Sequence, residues 1–195
     1  MTDVATAAGS VLAAFGLSGA AGLNAWIPLL SLGLLSRAGA LDLADPYDVL
    51  ATTPGLLVLG ILFVLDFVGD KVPAVDSLLH AAGSVVHPVA GAIAFAGPTD
   101  IPTDLPSLLQ FALGASVAGS LHATRATVRP ASTTLTAGAG NPLLSLAEDV
   151  VSAVLSVLAV LVPVLGAIVL LVVVALAVLS WRRVRRTLRR RRAPR

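Results

Sequence analysis

The chain has 195 residues, 56% of them hydrophobic and 12% charged, with a mean hydropathy of +0.93. That apolar content exceeds the roughly 45–50% of soluble domains, and the length holds about six membrane spans of about 20 residues with no separate soluble domain. Nine of the thirteen basic residues fall in the last fifteen positions, leaving four against eleven acidic ones, and the absence of Cys excludes disulfides and thiolate metal sites.

The N-terminal MTDVATAAGS lacks the basic stretch of a secretory signal, so the first helix is expected to stay. It begins near Val4 and runs through VLAAFGLSGAAGLNAWIPLL. Gly16, Gly19 and Gly22 allow another helix to approach closely and offer a face for a homodimer. Asn24 and Pro28 interrupt it, predicting a kink or break, after which LLSLGLLSR continues the span or folds back as a short re-entrant piece. The loop from Arg37 to Thr53 carries Asp42, Asp45 and Asp48 and is expected to be aqueous.

A second helix is predicted from Pro54 to about Asp70, with Asp66 and Asp70 four apart on one face. A third runs from about Ala74 to Ala96, with Asp76, His80, Ser84 and His87 forming one polar stripe and Pro88 breaking the helix. After the loop GPTDIPTDLP a fourth helix ends in His122, Arg125 and Arg129. PASTTLTAGAGNP is expected to be a loop or re-entrant segment. A fifth helix, about Leu143 to Val160, carries Glu148, Ser152 and Ser156 on one face beside Asp149. A sixth runs from Pro163 to Ser180, ending at an interfacial Trp181. The run LVPVLGAIVLLVVVALAVL is apolar on every face, as in a lipid-embedded helix and unlike a barrel strand.

The fold class expected is therefore all-α: a polytopic transmembrane helical bundle of about six spans, with broken or re-entrant segments. AAGLNA resembles VAGSLHA, pairing Asn24 with His122, and the pairs Pro54/Pro142 and Pro73/Pro163 recur in the same order at intervals of nineteen and twenty-one residues. Three spans per half make these inverted three-helix repeats, residues 1–97 and 98–180, followed by a cytoplasmic Arg-rich tail at 181–195. Both termini inside the cell would place Lys71, Arg125, Arg129 and the tail in the cytoplasm and leave Arg37 alone outside, as in a bacterial inner membrane protein.

Ionisable residues at membrane depth are expensive and usually line a bundle interior or an ion path. The candidate substrate or ion path is Asn24, Asp66, Asp70, Asp76, His80, His87, His122, Arg125, Glu148 and Asp149. Asp66 and Asp70 are candidates for taking up a cation or proton. Metal binding by Asp76, His80 and His87 is weighed against a hydrogen-bonded stripe that packs one helix on the next, and an Arg125 or Arg129 pair with Glu148 or Asp149 against a substrate-binding role. Arg182, Arg183, Arg185 and Arg186 are expected to anchor on anionic lipid rather than on nucleic acid. No Walker loop, Gly-x-Ser-x-Gly elbow or His-Glu-x-x-His motif is present, so no enzyme and no cofactor is expected.

GLNAWIPLL, LDFVGDKVPAVDSLLH, HATRATVRP and NPLLSLAEDVVS together resemble a family of small bacterial integral membrane proteins catalogued as a domain of unknown function. The resemblance covers nearly all of the chain apart from the tail and implies a helical membrane fold. More distantly, GDKV at Gly69 to Val72 resembles the acidic Gly-Asp-Lys-Thr motif of cation exchangers with two inverted three-helix halves, Val72 standing where that motif has Thr. Two functions follow as expectations: a small transporter or channel for a cation, a proton-coupled solute or a small polar solute, and, as the alternative, a non-transporting scaffold or lipid-binding subunit.

Overall fold

The computed structural model describes residues 2–70, 73–99, 105–136 and 140–192. Lys71, Asp100 and Asp104 lie outside the described residues, as do the side chains of Asp76, Arg129 and Arg185. Among the described residues seven α-helices form a single bundle: α1 Thr2–Leu23, α2 Trp26–Arg37, α3 Thr53–Gly69, α4 Pro73–Ala96, α5 Ser107–Thr136, α6 Asn141–Leu161 and α7 Pro163–Arg192. A short 3₁₀ turn, Tyr47–Ala51, precedes α3. Four helices contain stretches long and apolar enough to cross a membrane, at 6–23, 78–96, 141–161 and 163–183, and α2 and α3 are shorter apolar helices.

Starts and stops follow local chemistry. The Thr52 hydroxyl accepts from Gly55 N at 3.1 Å and Pro54 sits in the first turn of α3, where a missing N–H costs nothing. Pro142 plays the same part at the start of α6. Pro163 opens α7 immediately after the break at Val162.

The centre is α1, where every residue from Gly16 to Ala25 is buried. Small residues make that possible. A Cβ on Gly16 would lie 2.7 Å from the Ala159 Cβ of α6, and one on Gly22 would lie 2.8 Å from the Ala118 carbonyl of α5, while Gly19 abuts Leu170 of α7. The three glycines therefore serve three helices of the same chain, and this face is not open to a second copy.

Contacts along α1 fix the sense of each neighbour. On α4, His87 meets Ala21, Gly91 meets Ser18 and Phe95 meets Phe15, so α4 is antiparallel to α1. On α6, Asp149 meets Asn24, Ser152 meets Ala20 and Ala159 meets Gly16, again antiparallel. Helices α3, α5 and α7 run with α1.

Helix α2 doubles back. Leu41 lines one cavity of about 270 Å³ with Gly9, Ser10, Ala13, Pro98 and Pro163, which a helix continuing beyond Asn24 could not reach. The re-entrant alternative is the one the structure adopts, and it changes the expected topology. The first half holds four helices and the second three. Helices α3 and α6 are opposed, as are α4 and α7, as inverted pairs require, but α1 and α5 run the same way, because the chain reverses at Asn24 rather than crossing. The start of α1 lies at one end of the bundle with Pro98 and Pro163, and the arginines of α7 lie at the other, at least 19 residues along a continuous helix. The start of α1 and the end of α7 are thus at opposite ends of the bundle.

Two further expectations are corrected. Helix α4 continues through Pro88 without a break, its ring seated 3.3 Å from the Cβ position of Gly119 on α5. Helix α5 continues through Pro130 to Thr136, so most of PASTTLTAGAGNP is neither loop nor re-entrant. The Arg-rich segment continues α7 as helix to Arg192.

An apolar core is joined by buried polar groups, and large apolar side chains face outward. On α6, Ser145, Asp149, Ser152 and Ser156 are buried while Leu143, Val150, Val154 and Leu161 are exposed, and α3 and α7 present Leu, Val and Ile outward. Lipid is the surroundings such a surface matches.

Gly22→Val is expected to lower the thermal midpoint by about 3–10 °C, the effect of about 1–3 kcal/mol of overpacking against the α5 backbone. Gly60→Val, with nothing within 4 Å of its Cβ position, is the matched control and is expected to change little. Thermal unfolding of both variants in detergent checks this.

Candidate functional site

A helix that ends inside a bundle leaves four carbonyls without intrahelical partners, and at membrane depth water does not supply them. At the end of α1 each one is met. Ala20 O accepts from Asn24 N at 3.0 Å and from Ser152 Oγ at 3.0 Å. Ala21 O accepts from His87 Nδ1 at 2.6 Å, which places the proton of His87 on Nδ1. Gly22 O and Leu23 O both accept from the Arg125 guanidinium, the former at 3.3 Å. Arg125 also forms a 2.5 Å ion pair with Glu148.

The opposite side of the break is equally provided for. Asn24 Oδ1 accepts from Trp26 N at 2.9 Å and Ile27 N at 3.1 Å, capping the first turn of α2. Pro28 has no N–H to satisfy, which explains its tolerance there. With its oxygen so used, Asn24 turns its Nδ2 toward two carboxylates, donating to Asp149 Oδ1 at 2.9 Å and Asp66 Oδ2 at 3.3 Å. Asp70 accepts from Ser145 Oγ.

Three histidines complete the cluster. The His122 ring lies between the other two, stacked on His87 at 4.2 Å between centroids and tilted against His80 at 4.9 Å. Gly83 makes the room: a Cβ there would sit 2.7 Å from His122 Cε1. Asn24, Asp66, Asp70, His80, His87, His122, Arg125 and Asp149 together line a cavity of about 20 Å³. That is room on the scale of a water molecule or a small ion.

Of the ten residues proposed for the path, eight line this cavity, and Glu148 adjoins it through Arg125. Asp76 lies on α4, its side chain outside the described part. The stripe on α4 is corrected in one member: Ser84 is exposed and bonds back to Ala81 O at 2.7 Å, while His80, Gly83 and His87 form the inward face. Arg125 is only 12% exposed and belongs to the site, not to a cytoplasmic loop. Among the described residues no group of three His, Asp or Glu is disposed to hold a metal ion. Gly83, Ser145 and Ser152 were not anticipated as parts of the site. A glycine three residues from one histidine and four from another was the available sign of a ring packed between them.

The model of the family described as Domain of unknown function (DUF4126) matches residues 11–183. The chain belongs to this family. The match begins part-way along α1, takes in α2 to α6 and every residue of the site, and stops where the last turns of α7 become a run of arginines. No curated protein and no solved structure matches the chain. The family membership and four helices of spanning length and hydropathy mark the chain as a membrane protein.

Asn24→Ala removes the cap of α2 and strands two buried N–H groups, and is expected to cost about 2–4 kcal/mol. The check is a thermal or denaturant midpoint measured beside Trp26→Phe, which leaves the backbone bonds in place and is expected to be much milder.

Proposed function

We propose that this protein is a small transporter or channel of the bacterial inner membrane that moves a proton or a small cation through the cavity at the α1–α2 break. The observation that carries the reading is three aspartates and three histidines gathered around a space the size of one water, inside an apolar jacket. Asn24, His87, Arg125 and Ser152 are accounted for by the backbone groups they satisfy. Asp66, Asp70, Asp149, His80 and His122 are not needed for that task. Four carboxylates, counting Glu148, accompany one guanidinium among the described residues of this cluster. Carboxylates gathered at membrane depth are groups that take up a proton or a cation.

Asp66 and Asp149, both bound to one amide nitrogen, would form the exchangeable centre, and the His80–His122–His87 stack would pass protons to or from it. The small size of the space favours a proton or small ion over the larger polar solutes that the sequence alone left open. The opposed pairs α3/α6 and α4/α7 would supply the two-sided framework of an inverted repeat, with the α1–α2 hairpin as the discontinuous element such sites use. The arginines of α7 would face the cytoplasm, with the start of α1 on the far side.

The second reading, a non-transporting scaffold, draws on the same hydrogen bonds, because several of these polar groups demonstrably hold the break together. Flux in proteoliposomes loaded with a pH-sensitive dye separates the two. Wild-type protein is expected to carry proton or monovalent-cation flux, and Asp66→Asn to reduce it at least tenfold while its thermal midpoint stays within a few degrees. No flux from wild-type protein under either ion gradient, or equal flux from the variant, contradicts the proposal.

A further inference from the structure

Between α5, α6 and α7 lies a cleft of about 310 Å³, lined on α7 by the turns that precede the arginines. Its walls are apolar, with Leu144, Ala147 and Val151 on α6 facing Val173, Leu176 and Ala177 on α7. Its inner wall is Leu23 with the Arg125–Glu148 pair, and the same Leu23 and Arg125 line the central cavity. Ser180 is the last residue of α7 to line it. On α7 the cleft-facing residues 173, 176, 177 and 180 follow helical spacing, and the next position on that face is Arg183, which is exposed. An apolar slot whose lining face on α7 leads on to arginines of the same helix matches one kind of molecule: an acyl chain joined to an anionic headgroup.

We propose that this cleft is a binding site for an anionic phospholipid of the leaflet at the arginine end, with one acyl chain between α6 and α7 and the phosphate on Arg183. This site is separate from the central cavity and stands whether or not the protein conducts ions. A chain lying there covers the Arg125–Glu148 pair from the lipid side, and excluding water from an ion pair strengthens it. Bound lipid would thus reinforce the clamp on the end of α1. This goes beyond diffuse attraction of a basic tail to a charged surface, which needs no cleft and does not depend on what lines it.

The test uses the full chain in mild detergent, titrated with phosphatidylglycerol or with phosphatidylcholine of the same acyl chains, and read by thermal unfolding. Near-saturating phosphatidylglycerol is expected to raise the wild-type midpoint by about 5 °C or more, and phosphatidylcholine by much less. Ala147→Trp fills the cleft from its exposed rim, and Ala147→Leu fills it partly without risk to folding. Both are expected to reduce the phosphatidylglycerol-specific rise in proportion to the volume added, and Arg183→Gln to remove most of it. Equal rises with the two lipids, or no rise, overturn the proposal. So does an undiminished rise in Arg183→Gln, or in the Ala147 variants, where lipid held by the tail alone would be indifferent to a filled cleft.

Discussion

The bundle depends on how the open end of α1 is closed. A carbonyl left bare in hydrocarbon costs several kcal/mol, and this helix stops with four of them surrounded by protein. Side chains from α4, α5 and α6 supply the missing donors: His87, Arg125 and Ser152. Asn24 contributes its own backbone N–H and then caps the helix that leaves. Each donor comes from a different helix, so closing the break also sets the register of α4, α5 and α6 against α1. The polar groups that a lipid-embedded chain can least accommodate are thereby concentrated at one depth.

That concentration makes the rest of the architecture intelligible. A central helix surrounded by α4, α5, α6 and α7 must be thin, and Gly16, Gly19 and Gly22 give α6, α7 and α5 each a place to press in. The hydroxyls of α6 face inward and its leucines and valines outward, so the path along α1 is polar while the surface matches lipid. Counting about 1.5 Å per residue from the Gly19–Leu170 contact places Asn24 roughly 9 Å inside the level of Trp181. The cluster is therefore embedded, nearer the arginine end, with Leu17, Leu32 and Phe95 fully buried between it and the other end.

Much of this was legible in the sequence. Charged and amide residues in apolar surroundings stand out without a structure, and eight of the ten chosen on that ground line one cavity. Helical character and the outward apolar faces followed from composition and periodicity. The reversal at Asn24 was visible only as two alternatives, because an Asn–Ala–Trp–Ile–Pro stretch fits a kinked span as well as a hairpin. What decides between them is tertiary: whether Arg125 and His87, about a hundred and about sixty residues away, come to meet the exposed carbonyls. The parity of the helices, and with it the relation of the termini, hung on that one turn. Pro88 and Pro130 misled for the opposite reason, since a proline removes a donor but packing can hold a helix straight through it. Ser84 was misassigned because spacings of three and four define a wide face, and it was Gly83 that pointed inward.

The hairpin at Asn24 is the claim on which the site, the topology and the orientation of the ends all rest, and a single distance tests it. The chain has no native cysteine, so spin labels can be placed at Ser10 and Ala40 alone. Both residues line the same cavity at the start of α1, and pulsed electron resonance on the doubly labelled protein is expected to report a separation of about 20 Å or less, label length included. A span that merely kinks and continues through Pro28 would carry the labels to roughly 45 Å apart, at about 1.5 Å per residue. A distribution centred near that longer distance would contradict the account.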